Sequence, residues 1–283
     1  YAAMEDRRQL PGGSVANTLA GLGTLGLKTA FIGRVRDDAL GRYYAKAMVQ
    51  DGTDFVNPPA ADGELPTSRS MICVSRDGER SMNTSLGISA ELGPEDVPDD
   101  VARGAEILFL EGYLFDKDKG KQAFLRAARL CHEAGGKAGI ALSDPFCVDR
   151  HREDFRLLVR DEMHYVLGNE AEWTSLYEAD TLDAALAQAA QDCPLVVCTR
   201  SGDPVVLIAD GRRVEVPVEK VVPVDATGAG DQFAAGFLFG LATGRDLETC
   251  GRLGVIAAAE VIGHIGPRPE ANMRALFAEA SLL

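Results

Sequence analysis

The sequence predicts an α/β protein in which a mostly parallel sheet is covered by helices on both faces, with a small β extension. Two observations predict it. From about residue 106 onward, short runs rich in Val, Ile and Leu alternate with longer stretches whose apolar residues recur at helical spacing, the rhythm of repeated strand–helix units. Before that point, two alternating runs flank Arg76-Asp77-Gly78-Glu79, and Asp-Gly between such runs is a hairpin signal.

Taken in order, residues 14–25 are small, apolar and helical in pattern, residues 29–33 read as a short strand, and 37–48 as a helix. Residues 58–66 turn to Pro, Ala and Gly and read as a loop; 67–75 and 80–86 are the arms of the hairpin. A buried-strand pattern at 106–110 precedes an amphipathic helix at 119–134, whose stripe of Phe124, Ala127, Ala128 and Cys131 ends at Gly135-Gly136. Strands follow at 137–142, 164–167 and 195–199, separated by helices at 151–159 and 181–191. Residues 204–209 and 212–216 form a hairpin around Asp210-Gly211, and two apolar helices at 229–242 and 247–261 close the pattern. No internal repeat or linker interrupts it, so residues 1–283 read as one domain, with lid segments near 10–14 and 67–86.

A chain of 283 residues with 46% hydrophobic residues can bury a large core. A net charge of −14 and a pI near 4.8 argue against a nucleic-acid partner, which needs a basic face. They leave ATP open, because backbone donors and Mg²⁺ hold phosphates in acidic proteins. Six cysteines with no Cys-x-x-Cys pair predict reduced, mostly buried thiols in a cytoplasmic protein. Four histidines without metal-ligand spacing predict no zinc site, and no apolar run approaches the roughly eighteen residues of a membrane span.

The chemistry concentrates in Asp225-Ala226-Thr227-Gly228-Ala229-Gly230-Asp231, which opens the apolar helix at 229. A helix N-terminus carries unpaired N–H donors and a partial positive charge, and glycines let a bulky anion approach them. Asp231, on the first turn, stands where it can take a proton from a hydroxyl beside a bound phosphate. An N-cap followed by a glycine turn is the plainer reading of the same residues. Gly21-Leu22-Gly23-Thr24-Leu25-Gly26 matches the dinucleotide pattern G-x-G-x-x-G, yet it ends a helix instead of following a strand, so its glycines read as packing and helix-stop residues. A P-loop is absent. Gly12-Gly13 with Asn17, one turn on, offers open backbone and an amide to a small polyol; a glycine turn with a surface amide fits equally.

Together, the Gly12-Gly13…Asn17 element, with Gly33 and Gly41, and the 225–236 run resemble the two signatures of the PfkB/ribokinase family of carbohydrate and nucleoside kinases. The resemblance covers essentially the whole chain, to Gly263-His264-Ile265-Gly266. It implies a ribokinase-like three-layer α/β/α fold with a small β-sheet lid, which also pairs chains into homodimers. It implies Asp231 as catalytic base and Gly228, Ala229 and Gly230 as anion hole, with Thr227 beside the nucleotide. Asn169 and Glu172, in Asn169-Glu170-Ala171-Glu172, are similar to the element that organises Mg²⁺ and phosphates through water. Thr199-Arg200-Ser201-Gly202 resembles the nucleotide-contacting strand end. Gly12, Gly13, Asn17 and Glu111 would face the sugar or nucleoside, and Asp225 would hold a monovalent cation such as K⁺. Glu111 and Glu172 also fit as plain solvated carboxylates, and Asp144 in Ser143-Asp144-Pro145 is a weaker candidate for the phosphate region. Ser201, where glycine is frequent, Pro204 and the Gly-Gly-Ser form of the first motif lean toward adenosine-kinase-like members. The family's first strand, with an acceptor-binding aspartate, is not legible ahead of Gly12, and a truncated start is expected.

Overall fold

The structure, a computed structural model, describes residues 8–76 and 78–283. Its elements run α1 (Ser14–Thr24), β1 (Thr29–Phe31), α2 (Ala39–Gln50), β2 (Thr53–Phe55), β3 (Arg69–Val74), β4 (Arg80–Ser85), α3 (Asp99–Arg103) and β5 (Ile107–Glu111). Then come α4 (Asp118–Glu133), β6 (Lys137–Ala141), α5 (Pro145–Arg150), α6 (Arg152–Glu162), β7 (Tyr165–Asn169), α7 (Glu170–Tyr177), α8 (Leu182–Asp192) and β8 (Leu195–Arg200). The chain ends with β9 (Asp203–Ala209), β10 (Arg212–Val216), α9 (Ala229–Ala242), α10 (Leu247–Val261) and α11 (Met273–Glu279).

The central sheet has the order β10-β9-β8-β7-β6-β5; β5 to β8 are mutually parallel, and β9 and β10 are antiparallel to their neighbours. Side chains alternate strictly between two cores, as the pleat requires. On β7 and β8, Val166, Val196 and Cys198 join the core under α4 to α8, while Tyr165, Leu167 and Val197 join the core under α1, α9, α10 and α11. That alternation makes the three-layer α/β/α architecture. It also puts the ends of the parallel strands, Glu111, Asn169 and Thr199-Arg200, along one rim, where sheets of this kind carry their sites.

The hairpin β3–β4 forms a two-stranded sheet of its own, in the register Arg69↔Ser85 to Val74↔Arg80. Its base is pinned to α2: Asp38 caps Gly41 N–H and accepts from both the N–H and the hydroxyl of Thr67. Its tip, of which Asp77 lies outside the described residues, docks at Gly78, whose carbonyl accepts from Ala226 N–H at 3.1 Å. β1 and β2 pair parallel in a further small sheet. The Gly21–Gly26 glycines pack, as their position suggests: a Cβ on Gly21 would lie 2.8 Å from Ala235 of α9, one on Gly23 only 2.2 Å from the Asp51 carbonyl, and Gly26 takes φ +86° beyond the helix end. Among the described residues no helix is long and apolar enough to cross a membrane. Five cysteines are buried and Cys73 is exposed, all free thiols.

Candidate active site

Of the chain's 30 glycines, most are explained by a positive φ or by a neighbour that a Cβ would strike. Three are not. Gly12, Gly202 and Gly230 have no positive φ and nothing within 4 Å of where a Cβ would stand. Packing does not require glycine at these places, and all three line one open cleft along the strand-end rim. They come from the Gly12-Gly13 element, the Thr199–Gly202 strand end and the Asp225–Asp231 run, three segments far apart in sequence. The cleft leaves room there for a ligand to reach backbone.

Gly228 is a glycine of the other kind. It is the N-cap of α9 with φ 84°, and a Cβ would lie 2.6 Å from Pro267. This turn aims the first N–H groups of α9 into the cleft. Ala229 N–H reaches Ala226 O at 3.3 Å, while those of Gly228 and Gly230 take no partner among the described residues. Thr227 adds a buried hydroxyl without a hydrogen-bond partner. Unspent donors at a helix N-terminus and an orphaned hydroxyl fit a phosphate.

Asp231, half-buried on the first turn of α9, accepts from Ser14 Oγ at 2.9 Å and from Asn17 Nδ2 at 2.8 Å. Because Gly13 takes the N-cap of α1, the Ser14 hydroxyl is free to serve Asp231. Thr18 Oγ1 donates to the Asp231 carbonyl, fastening the helix starts together. Burial pushes the Asp231 carboxyl up to about 6; the hydrogen bonds from Asn17 and Ser14, and the positive charge of Arg80 on β4, hold it from rising further. Asn17 is buried and its amide is committed to Asp231, so it reaches the cleft through that carboxylate.

Glu111, at the end of β5, accepts from Val15 N–H at 3.3 Å. Burial pushes its carboxyl up to about 7, opposed by that N–H and assisted by the neighbouring Asp231 charge. Asn169 and Glu172 form a closed capping box at the start of α7: Glu172 N–H donates to Asn169 Oδ1, and Glu172 accepts from the Asn169 N–H and amide at 2.8 and 2.7 Å. Burial pushes Glu172 up to about 7 against the Asn169 N–H, and the charge of Asp144 adds to the rise. Asp144 itself caps α5. Asp225 is buried, its two oxygens accepting from Thr227 N–H and Gly266 N–H. Among the described residues no three His, Cys, Asp or Glu side chains gather as a metal-ligand set. Glu172 and Asp225 therefore form no side-chain cage. Thr199 and Arg200 end β8, and Arg200 Nε contacts Glu170 at 3.3 Å. Ser201 takes φ +54°, a conformation that glycine adopts without strain.

A family model described as pfkB family carbohydrate kinase matches residues 3–272. The chain belongs to the pfkB family. This pfkB kinase is accordingly an enzyme that transfers a phosphoryl group from ATP to a small-molecule sugar or nucleoside, and its three-layer fold is the ribokinase-like one. It is similar to the crystal structure of adenosine kinase from Sinorhizobium meliloti, at 45% identity and a TM-score of 0.92, covering 95% of this chain and 83% of that one. A probable sugar kinase from Rhizobium etli matches at 43% identity and a TM-score of 0.93, covering 96% and 83%. Among curated relatives, a fructokinase from Klebsiella pneumoniae is 28% identical over 95% of this chain and 89% of its own.

Three residues in or behind this candidate site carry no signal in the sequence pattern. Ser14 reads as a helix-start serine, Arg80 as one more charge on an exposed strand, and Arg268 as a loop arginine. Only the fold brings Ser14 and Arg80 to Asp231, and Arg268 to Asn17 behind it.

Proposed function

We propose that this kinase moves the γ-phosphoryl group of MgATP to a hydroxymethyl group of a nucleoside or ribose-like sugar, with adenosine the first acceptor to test. The observation that carries the reading is Asp231, held by Ser14 and Asn17 directly beside the unspent N–H groups of Gly228 and Gly230. Asp231 takes the proton of the acceptor hydroxyl as that oxygen bonds to phosphorus, and ADP leaves. The N–H groups of residues 228–230, with the Thr227 hydroxyl, bind the phosphoryl oxygens, and Arg80 adds a positive charge from the lid. Mg²⁺ neutralises phosphate charge when bound. The Asn169–Glu172 pair and Asp144 would hold its waters, the ion itself being carried largely by water and phosphate. The lone pairs that Asp225 does not spend on backbone would serve a monovalent cation such as K⁺.

Thr199 to Gly202 supply the nucleotide's edge of the cleft, and Gly12, Gly13 and Glu111 the acceptor's. Adenosine is favoured by the 45% identity to the Sinorhizobium adenosine kinase. It is also favoured by the paired rings of Phe31 and Tyr44, which line the cleft, with Tyr44 beside Gly13, surfaces suited to a base. In this reading the β3–β4 hairpin is a lid that excludes water. Its exposed Met71 and Met82 are the surface through which a homodimer would form, a point that sedimentation velocity checks.

The test is ADP release with MgATP across adenosine, ribose, fructose and related acceptors, beside Asp231→Asn. Acceptor-dependent release should fall by about two to four powers of ten in the variant while ATP binding persists. Near-normal turnover in Asp231→Asn would remove Asp231 from the base role. Nucleotide binding without turnover on any acceptor would favour a sensor on a kinase scaffold.

A further inference from the structure

Behind Asp231 lies a second layer of polar contacts that the chemistry above does not use. Arg268, in the loop after Gly266-Pro267, is almost fully buried: its side chain is 12% exposed. Its Nη1 pairs with Asp51, its Nη2 lies 3.3 Å from Met48 Sδ, and its Nε–H points at Asn17 Oδ1 at 3.5 Å. The other face of that amide, Asn17 Nδ2, donates to Asp231 Oδ2. Gln232, fully buried on α9, ties the assembly together by donating to the carbonyls of both Asn17 and Pro267.

A guanidinium can only donate, so it accepts no flipped amide. Were Asn17 to rotate its amide end for end, an NH₂ would meet Arg268 N–H and a carbonyl oxygen would meet Asp231. The flipped amide is the one that would accept a hydrogen bond from a protonated Asp231; the amide as found donates to the carboxylate. Hydrogen bonding that favours the charged form keeps a carboxyl ionised. The charge of Arg268 is itself matched by Asp51, so its effect on Asp231 runs through Asn17.

We propose that Arg268 is a positioning residue that locks Asn17 as a donor toward Asp231 and thereby holds the catalytic base in its carboxylate form. The proposal rests on the base reading of Asp231 for its catalytic consequence, not for its structural content. The other charged groups that face Asp231 are Glu111 from β5 and Arg80 from β4, and Tyr113 senses its charge from the turn after β5; the substitutions below leave all three in place.

The test follows the carboxyl carbon of Asp231 by ¹³C NMR through a pH titration, its signal assigned by loss in Asp231→Asn. Arg268→Met should raise the titration midpoint of Asp231 by about one pH unit, the size of one lost hydrogen bond to the charged form. Asn17→Ala should raise it equally, and Arg268→Met placed on Asn17→Ala should add nothing. Turnover should drop about twofold at neutral pH and nearly tenfold at about pH 5, with the KM for ATP unchanged, as the smaller ionised fraction of a base moved from about 6 to about 7 dictates. Arg268→Lys retains an ammonium for Asp51 and should melt near the parent temperature. With its one charge held there, it leaves Asn17 Oδ1 without a donor and shifts the Asp231 midpoint as the Met variant does. It carries the test if Arg268→Met fails to fold. An unmoved midpoint in the folded variants would overturn the proposal, whatever happens to turnover. Undiminished turnover in Asp231→Asn would instead overturn the base reading, and the NMR midpoint would still judge the lock.

Discussion

At the scale of single residues, the candidate site separates a glycine that the fold needs from one that only the proposed chemistry needs. Gly228 holds φ 84° with Pro267 at 2.6 Å, so Gly228→Ala should destabilise the protein by about 1–3 kcal/mol from the backbone alone. Gly230, one residue into the helix, has open space instead. Gly230→Ala should leave the protein as stable or more so, by up to about 1 kcal/mol, while turnover collapses because a methyl group fills the phosphate's approach. Denaturant melts and turnover on the same two variants check the contrast. Asp231 supplies a second expectation. With its carboxyl raised to about 6, kcat/KM should fall about tenfold per pH unit below that value, since only the ionised form accepts a proton. A third concerns Glu111, whose folded-state value of about 7 lies above its ordinary 4.5. Such a group contributes stability below its unfolded value and loses it as pH rises through the folded one. The melting temperature of Glu111→Gln relative to the parent should therefore climb between about pH 5 and pH 7, a trend that calorimetry across that range measures.

Secondary structure was legible in the sequence where periodicity runs long. The amphipathic stripe of α4, the apolar α9 and α10, and the two Asp-Gly hairpins were all readable, because a helix of three turns or a pair of alternating strands repeats its pattern. What escaped was short or self-capped. β2 is three residues, and α3, α5 and α11 are five to seven, too brief for a period to show. α7 begins immediately after the last residue of β7, so Asn169 is both strand end and N-cap, and no turn residue marks the change. The 151–159 helix emerges as α6, preceded by the Asp144-capped α5. The candidate site was legible as motifs, since glycine runs and paired acids stand out, but its inner contacts were not. No spacing brings Ser14, Asn17 and Asp231 together, more than two hundred residues apart, nor puts Arg268 behind them. Only the packing of α1 on α9 does this.

For the whole molecule, two rigid cores share one sheet, and a hairpin with its own two-stranded sheet reaches over the rim. Its tip touches the phosphate segment through a single described hydrogen bond, Ala226 N–H to Gly78 O, with Gly78 at φ +80° against Pro223. Gly78→Ala strains that backbone and crowds Pro223, where a Cβ would stand 3.0 to 3.2 Å away. It should loosen the hairpin tip, the proposed lid, without harming either core. The expected outcome is a several-fold rise in ADP formed per molecule of acceptor phosphorylated, as water reaches the site; the melting temperature should stay within a few degrees of the parent's.

Arg80 stands on that same hairpin, and its positive charge is the one that favours the ionised form of Asp231. Linkage is reciprocal: whatever the arginine does to hold Asp231 ionised, ionised Asp231 does to hold the arginine. A proton arriving on Asp231 therefore cancels part of the attraction that keeps the hairpin down. In the proposed mechanism, the step that phosphorylates the acceptor delivers that proton. On that mechanism the reaction's own by-product would loosen the cover at the moment there is something to let out.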